Sequence, residues 1–388
     1  MKLLFVSHKE SWPDPNSPSG YSTNGGFPFQ MRAISQLFDE TRLLITQPNL
    51  PKPANLIPLQ GHNMTVRTLP SPGGGRWHKL KLIPWALKNL FVIWREMAHA
   101  DAVHAAVPGD VGSIGLIVAL IQRKRFFVRH CGTFGEPVTV SDHILLWLLE
   151  RIASEKLVVF ATGGSDLPPS KKNPHISWIF STTLSQAELD HTPSASPWTS
   201  GLPLRLITVC RLAEGKNVQS ILRALTDVRK AIPHIHLDVL GDGEYRLTLE
   251  QLAHELQLGD AITFHGNVNH ARVMELLSQA HLFVFPTNVK EGFPKAVLEA
   301  LACGLPVIAT RVSVIPQLLK NGSGLLLDYT SAPAVKDAML NLLSQPEKLA
   351  VMGRLAREAA QGYTLEAWGG QFRSRLEAAW GPLRSGAV

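Results

Sequence analysis

The sequence predicts an α/β protein built as two doubly wound domains, and three observations carry that prediction. Short runs of Val, Ile, Leu and Phe without strict alternation recur along the chain, as strands buried on both faces of a parallel sheet require. Amphipathic segments of helix length stand between these runs, so strand and helix alternate. The alternation runs twice, before and after a Pro-, Ser- and Thr-rich stretch at 190–203, and 388 residues suit two domains at roughly 100–200 residues each.

In the first half, strands are expected at Leu3–Val6, Leu43–Thr46, Ala102–Val107, Phe126–Arg129, Leu157–Ala161 and Ile176–Phe180. Gly25-Gly26 precedes a helical pattern from Phe27 to Phe38. Pro48 to Gly75, with six prolines and three closing glycines, predicts an insertion or long surface loop. In the second half, strands are expected at Leu204–Cys210, Ile235–Leu240, Ile262–His265, Leu282–Phe285, Pro306–Ala309 and Leu325–Leu327. Amphipathic helices are expected at Val218–Ala231 and His270–Ala280, and a last helix at 364–380. The domains therefore fall at 1–189 and 204–363, with 190–203, which lacks helical periodicity, as the linker.

Composition narrows the function classes. With 45% apolar residues the chain is neither disordered nor collagen nor coiled coil. No run approaches the roughly 18 apolar residues of a membrane span; the longest, Val111 to Ile121, is broken by Gly112, Ser113 and Gly115. The N-terminus turns polar at Ser7, which argues against an export signal. Cys131, Cys210 and Cys303 form no Cys-x-x-Cys pair and fit a reducing, cytoplasmic location. The net charge of +7 suits phosphorylated small molecules, nucleic acid or an anionic membrane without choosing among them.

Residues 76–100 combine Arg76, Lys79, Lys81, Lys88 and Arg95 with Trp77, Trp85 and Trp94. Two readings stand. One is a core-packing helix with a solvated basic edge, its pattern interrupted by Pro84. The other is an interfacial element, where cations meet anionic lipid and Trp sits at headgroup depth.

The segment from Phe285 to Ala309 is the richest in chemistry. A buried strand ends near Pro286, a loop carries Glu291-Gly292, and a helix is expected to start with Pro294 in its first turn, where the missing N–H costs nothing. Gly304 ends the helix and Pro306 opens the next strand. This is a strand–loop–helix unit at the carboxyl edge of a parallel sheet, where a helix N-terminus offers free N–H groups to a phosphate. Glu291 and Glu299 bracket the helix start, eight positions and ~12 Å apart along a helix axis.

Glu291 to Glu299 resembles the Glu-x7-Glu signature of retaining glycosyltransferases of family 4, which have the GT-B fold: two Rossmann-like domains facing each other across a cleft. Four further blocks match that family in order and spacing. They are Leu206 to Asn217, with Arg211 at a strand end and Lys216 five residues later; Leu240-Gly241-Asp242-Gly243; Ile262 to Asn267, with His265-Gly266; and Gly304 to Thr310. The resemblance is strong over 204–328 and weaker in the first half.

It implies a donor site on the C-terminal domain for a nucleoside diphosphate sugar, UDP- or GDP-linked, and an N-terminal domain that binds a hydroxyl acceptor. Arg211 and Lys216 would neutralise the diphosphate in the ground state and as leaving group. The helix start, Gly292, Phe293, Pro294, Lys295 and Ala296, would hold it from below. Glu299 would accept hydrogen bonds from the ribose and Glu291 from the transferred sugar. Gly241 allows close backbone approach, and His265 lies near the base with its backbone. Gly25 and Gly26 resemble the family's glycine-rich first loop, and His130 stands at the strand end where members carry a His facing the donor. The last helix would cross back to the N-terminal domain.

The sequence also departs from the pattern. The usual Asn-Gly-Val-Asp near the linker is missing, Ser313 stands where a glycine is usual, and Lys295 is an uncommon choice. No Asp-x-Asp occurs, so no obligatory metal or other cofactor is expected. The implied function is retaining transfer from the nucleotide sugar to a saccharide, lipid-linked or small-molecule hydroxyl. The rivals are a GT-B epimerase or hydrolase and a catalytically silent nucleotide-sugar-binding protein. Nucleic-acid binding rests on net charge alone and is not expected.

Overall fold

The computed structural model describes residues 1–73, 78–132, 134, 135, 137, 139–165, 167–199, 201–290 and 292–384. Contacts divide the chain into two units, Met1–Thr183 with Leu365–Val388, and Leu184–Thr364.

In chain order the first unit contains strands β1 (Lys2–Glu10), β2 (Trp12–Pro13), β3 (Tyr21–Thr23), β4 (Glu40–Gln47), β5 (Ile57–Pro58), β6 (Met64–Pro70), β7 (Ala102–Val107), β8 (Arg125–His130), β9 (Leu157–Thr162) and β10 (Ile176–Ile179). Seven of them form a parallel sheet in the order β10-β9-β8-β7-β1-β4-β6, and β2, β3 and β5 form a small antiparallel one. Side chains alternate between the faces of the larger sheet. The helix α1 (Phe27–Ser35) follows Gly26. Leu4, Val6, Val103, Ala105, Val128 and Val159 point to a core shared with the helices α2 (His78–Ala98), α3 (Asp110–Ile121) and α4 (Val140–Ile152). α3 approaches the sheet closely because it has glycines there: a Cβ on Gly112 would lie 2.3 Å from the Ala106 carbonyl oxygen.

The stretch expected as one long loop, Pro48 to Gly75, contains β5 and β6 instead. β6 pairs with β4 at the sheet edge, where half-buried Met64 and Val66 alternate with exposed Thr65 and Arg67 before Thr68 and buried Leu69. A search for continuous apolar runs passes over such a strand. α2 packs inward through Trp85, Ile93 and Met97. Pro84 lies inside it without ending it. Arg76, Trp77 and the side chains of Lys79 and Lys81 lie outside the described residues.

The second unit has strands β11 (Leu204–Val209), β12 (Ile235–Leu240), β13 (Ile262–Gly266), β14 (Leu282–Phe285), β15 (Val307–Thr310) and β16 (Gly324–Leu327). They form a parallel sheet in the order β13-β12-β11-β14-β15-β16. Its helices are α5 (Gln186–His191), α6 (Val218–Ala231), α7 (Arg246–Glu255), α8 (His270–Gln279), α9 (Lys295–Ala302), α10 (Ile315–Leu318), α11 (Ala332–Leu343) and α12 (Pro346–Gln361). The stretch 190–203 is part of this unit. Arg357 of α12 donates to the carbonyls of Leu189, Thr192 and Ala302, Ala195 N donates to the Cys303 carbonyl at 2.7 Å, and Trp198 is buried. The contacts divide the chain at Thr183/Leu184, where the sequence reading ends the first domain at 189.

The chain then returns to the first unit through α13 (Leu365–Trp380). Phe372 seats against Phe160, with ring centroids 4.3 Å apart, and against Trp368 at 4.6 Å. Buried Arg129 of β8 donates to Gln30 of α1 at 2.7 Å and lies over Trp368, so strand, first helix and last helix are tied at one point.

Candidate active site

In both sheets the chain lays strands to one side of the first strand and then to the other. The order reverses between β1 and β7 and between β11 and β14, and the carboxyl ends at such switch points are where open α/β sheets bind ligands.

In the second unit a cleft of about 520 Å³ opens at those ends, lined by Arg211, Gly241, Asp242, Asn267, Lys295 and Glu299, with Ala296 and Cys210 also on its wall. The loops around it are stitched by their backbones. Cys210 N donates to the Leu240 carbonyl (3.1 Å), Leu212 N to Asp242 (2.9 Å), and Gly241 N to Gly266 (2.9 Å). Gly241 has φ +116° and a Cβ there would stand 1.9 Å from the Cys210 carbonyl oxygen, so glycine is required for one loop to approach another. Burial pushes the Cys210 thiol up to about 11, which keeps it protonated and unreactive near neutral pH.

Arg211 is exposed on the cleft wall. Lys216 ends the short turn Glu214–Lys216, half-buried, with its ammonium 5.5 Å from the centre of the Phe285 ring. Burial lowers its pKa most; Cys210 pushes the other way, and the positive charge of Arg211 lowers it further. Asn217 next to it takes the left-handed φ of +55° that asparagine tolerates, which turns the chain into α6. Asn288 N donates to the Gly215 carbonyl at 2.9 Å, so the loop after β14 is tied to the turn that carries Lys216.

α9 begins at Lys295 with Pro294 as its N-cap, one position earlier than a first-turn proline, and it has no side-chain cap. Lys295 and Ala296 of its first turn line the cleft. Pro294 is buried, and Phe293 packs against Tyr363 at 5.9 Å. Gly292 is half-buried beside them, and Glu291 lies outside the described residues. Glu299, one turn inside α9, is mostly buried; burial raises its carboxyl pKa, opposed by His270 and Lys295. His270 Nδ1 is 3.6 Å from Glu299 Oε1 and its Nε2 is 3.1 Å from Glu188 Oε1.

His265 does not line this cleft. Its Nε2 lies 2.8 Å from Asp238 Oδ1, and Asp238 is also held by Arg205 at 2.8 Å. Ser313 adopts φ +50°, so the left-handed turn that favours glycine is kept with a serine.

In the first unit, a cleft of about 550 Å³ at the β1/β7 switch point is lined by His8, Lys9, Glu10, Asn24, Gly109 and Asp110, with Ser71 to Gly73 closing one side. Lys9 Nζ donates to Asn24 Oδ1 at 2.5 Å, and burial lowers the lysine's pKa. Gly25, with φ +72°, and Gly26, the N-cap of α1, follow Asn24 directly. His130 ends β8, buried, with Nδ1 3.1 Å from the Gly132 carbonyl oxygen and its ring edge-on to Phe134. Burial lowers its pKa, opposed by the Gly132 carbonyl and by Asp142.

Of the residues expected from sequence, the structure thus brings Arg211, Gly241, Lys295, Ala296 and Glu299 to one cleft. Lys216 and the run 292–294 belong to the same unit without lining it, and Gly25, Gly26 and His130 belong to the other unit. Sequence reasoning missed His270 and Glu188. Neither sits in a motif, and only the packing of α8 and α5 brings them to Glu299.

Residues 200–359 match the family described as glycosyl transferases group 1. The chain is 30% identical, over 45% of its length and 47% of the relative's, to a GDP-mannose-dependent alpha-(1-6)-phosphatidylinositol monomannoside mannosyltransferase of Mycolicibacterium smegmatis. It is 33% identical, over 40% of its length and 40% of the relative's, to the N-acetyl-alpha-D-glucosaminyl L-malate synthase of Bacillus anthracis. The aligned stretches thus span less than half of those relatives. Among solved structures, Anabaena Alr3699/HepE in complex with UDP superposes with TM-score 0.68 at 16% identity, covering 97% of this chain and 100% of that one. Sucrose-phosphate synthase from Thermosynechococcus elongatus gives 0.65 at 19%, covering 97% and 99%. At these identities the likeness establishes the fold.

Proposed function

We propose, from the match of residues 200–359 to the glycosyl transferases group 1 family and from the GT-B fold, that the chain is a retaining glycosyltransferase. In this reading it moves a sugar from a nucleoside diphosphate donor to a hydroxyl acceptor. The observation that carries it is the cleft of the second unit, where Arg211, the start of α9 and Glu299 line one wall system at the sheet's carboxyl edge. Cations and helix N–H groups suit a diphosphate, and a mostly buried carboxylate suits ribose hydroxyls.

The step is a front-face displacement. The acceptor oxygen bonds to the anomeric carbon on the side from which the diphosphate oxygen leaves, and the acceptor proton passes to a diphosphate oxygen. Arg211 and Lys216 take up the charge that develops there. Glu291 holds hydroxyls of the transferred sugar, Gly241 and the backbone at His265 border the nucleotide, and Gly25, Gly26 and His130 serve from the first unit. The acceptor is a saccharide, a lipid-linked saccharide or a small molecule, and the donor base is uracil or guanine. The reading includes peripheral contact of residues 76–100 with a membrane; among the described residues no helix is long and apolar enough to cross one.

Nucleotide release from a panel of UDP- and GDP-sugars, with and without acceptor sugars, tests it. Release that depends on an acceptor, with the anomeric configuration of the donor kept in the product, is expected. Release without any acceptor would identify a hydrolase, and binding without release a silent nucleotide-sugar-binding protein.

A further inference from the structure

Three helices on one face of the N-terminal sheet turn apolar side chains to solvent. On α2, Ile83, Leu87, Leu90, Phe91 and Trp94 form a stripe at helical spacing, with Leu87 71% and Phe91 73% exposed. On α3 the exposed residues are Ile117, Leu120 and Ile121, and on α4 Val140, Ile144 and Trp147. α2, α3 and α4 share one core cluster through their opposite sides, so the three stripes point away from the sheet in the same direction. Gln122 donates to the Trp94 carbonyl at 2.9 Å, which locks the end of α3 against α2. Among the described residues, helices of the second unit expose large apolar side chains singly, Leu247 on α7 and Val351 on α12.

Among the described residues, the fully exposed charges beside these stripes are cations. Lys88 and Arg95 flank the α2 stripe, Arg123 follows α3, and Arg151 lies over Trp147, 5.2 Å from its centroid. The acids of these helices are buried or half-buried, and three of them are held by protein partners. Glu96 is buried between Arg42 and Arg67, Asp142 caps α4, and Glu150 binds Ser170 and Lys172. Asp110 is in the first turn of α3, at the end remote from Ile121.

We infer that this three-helix face is a docking surface for an anionic lipid bilayer. Contiguous exposed apolar patches mark interaction sites. Cations interleaved with Trp suit lipid phosphates at the depth where the rings stop. A second copy fits less well, because a twofold contact would set Lys88, Arg95 and Arg151 against a face whose fully exposed charges are the same cations. The inference rests on the membrane reading of residues 76–100 for one of its three helices, and not on the transfer chemistry.

The test is co-sedimentation of the full chain with vesicles of equal parts phosphatidylcholine and phosphatidylglycerol, beside vesicles of phosphatidylcholine alone. Binding to the anionic vesicles only, falling with added salt, is expected. The paired changes Ile117→Ser with Ile121→Ser, and Ile144→Ser with Trp147→Ser, should each reduce the bound fraction about threefold or more at unchanged melting temperature. Should either pair lower the melting temperature, Lys88→Glu with Arg95→Glu on the same face should abolish binding in a folded chain. If only Leu87→Ser with Phe91→Ser loses binding, contact is confined to α2 and the three-helix surface fails while the 76–100 reading stands. No binding by the unmodified chain overturns both. A dimer in gel filtration that the serine pairs dissociate would make a second copy the occupant and overturn the lipid assignment.

Discussion

His270 stands 3.6 Å from Glu299, Nδ1 to Oε1, and so places an imidazole behind the carboxylate that lines the second unit's cleft. Its other nitrogen meets Glu188 of α5, and that hydrogen bond is the main reason its pKa is raised, with Glu299 adding to it and burial and Lys295 opposing. The same bond lowers the pKa of Glu188. One side chain thus links the first helix of this unit to the inferred ribose partner.

This arrangement sets a pH dependence. A histidine whose folded pKa lies above its usual 6.5 contributes stability that is complete below 6.5 and is lost as pH climbs through the raised value. The melting temperature of the wild type should exceed that of His270→Gln on the acid side of that window, and the gap should close above it. Glu188, Glu299 and Lys295 are the charged groups that act on the ring, the two carboxylates raising its pKa and the lysine lowering it. A gap that stays constant with pH would remove the ion pairs from the account.

Gly241→Ala should destabilise the chain by about 1–3 kcal/mol or more, since its φ of +116° is strained for alanine and the new methyl would stand 1.9 Å from the Cys210 carbonyl oxygen. Urea unfolding measures it. An unchanged midpoint would mean that the loops after β11 and β12 separate freely.

These two positions differ in how far they could be read from the sequence. Gly241 belongs to a strand–turn block visible in one line of residues, and buried parallel strands such as Ala102–Val107 and Ile235–Leu240 announce themselves as continuous apolar runs. β6 does not, because this edge strand carries Thr65, Arg67 and Thr68 among its apolar residues. His270 and Glu188 are 82 residues apart and meet through packing, which no local spacing encodes. Likewise 190–203 has a linker's composition, yet Arg357 supplies the bonds that fasten its start from far along the chain.

Arg211→Ala and Lys216→Ala should each lower turnover by about two orders of magnitude, the usual cost of one positioned charge stabiliser. Lys216 is close enough to Arg211 to feel its charge, so the double variant should cost less than the product of the two. Steady-state rates decide, and wild-type turnover in either single variant would take that residue out of the mechanism.

His130→Ala should slow turnover more than it weakens nucleotide binding. The residue belongs to the first unit, while the cleft proposed for the nucleotide is built within the second. Calorimetry with a nucleoside diphosphate should give near-wild-type affinity in a folded variant. Loss of that affinity would mean that His130 touches the nucleotide itself.

The two glutamates separate the two ends of the donor. Glu299 lines the cleft one turn inside α9, where burial already raises its carboxyl pKa, so hydrogen bonds from ribose hydroxyls would relieve a poorly solvated carboxylate. Such charge-assisted bonds are worth about 1.5–3 kcal/mol each. Glu299→Gln should therefore weaken the sugar nucleotide and the bare nucleoside diphosphate alike, by roughly one order of magnitude or more. Glu291, outside the described residues, is assigned to the sugar by its place before the helix in the Glu-x7-Glu pattern. Glu291→Gln should leave the bare diphosphate nearly untouched while weakening the intact donor and slowing transfer. Titration calorimetry of both variants with both ligands gives the comparison directly. If Glu291→Gln lowers affinity for the sugar-free diphosphate as much as Glu299→Gln does, the assignment of the two ends is wrong.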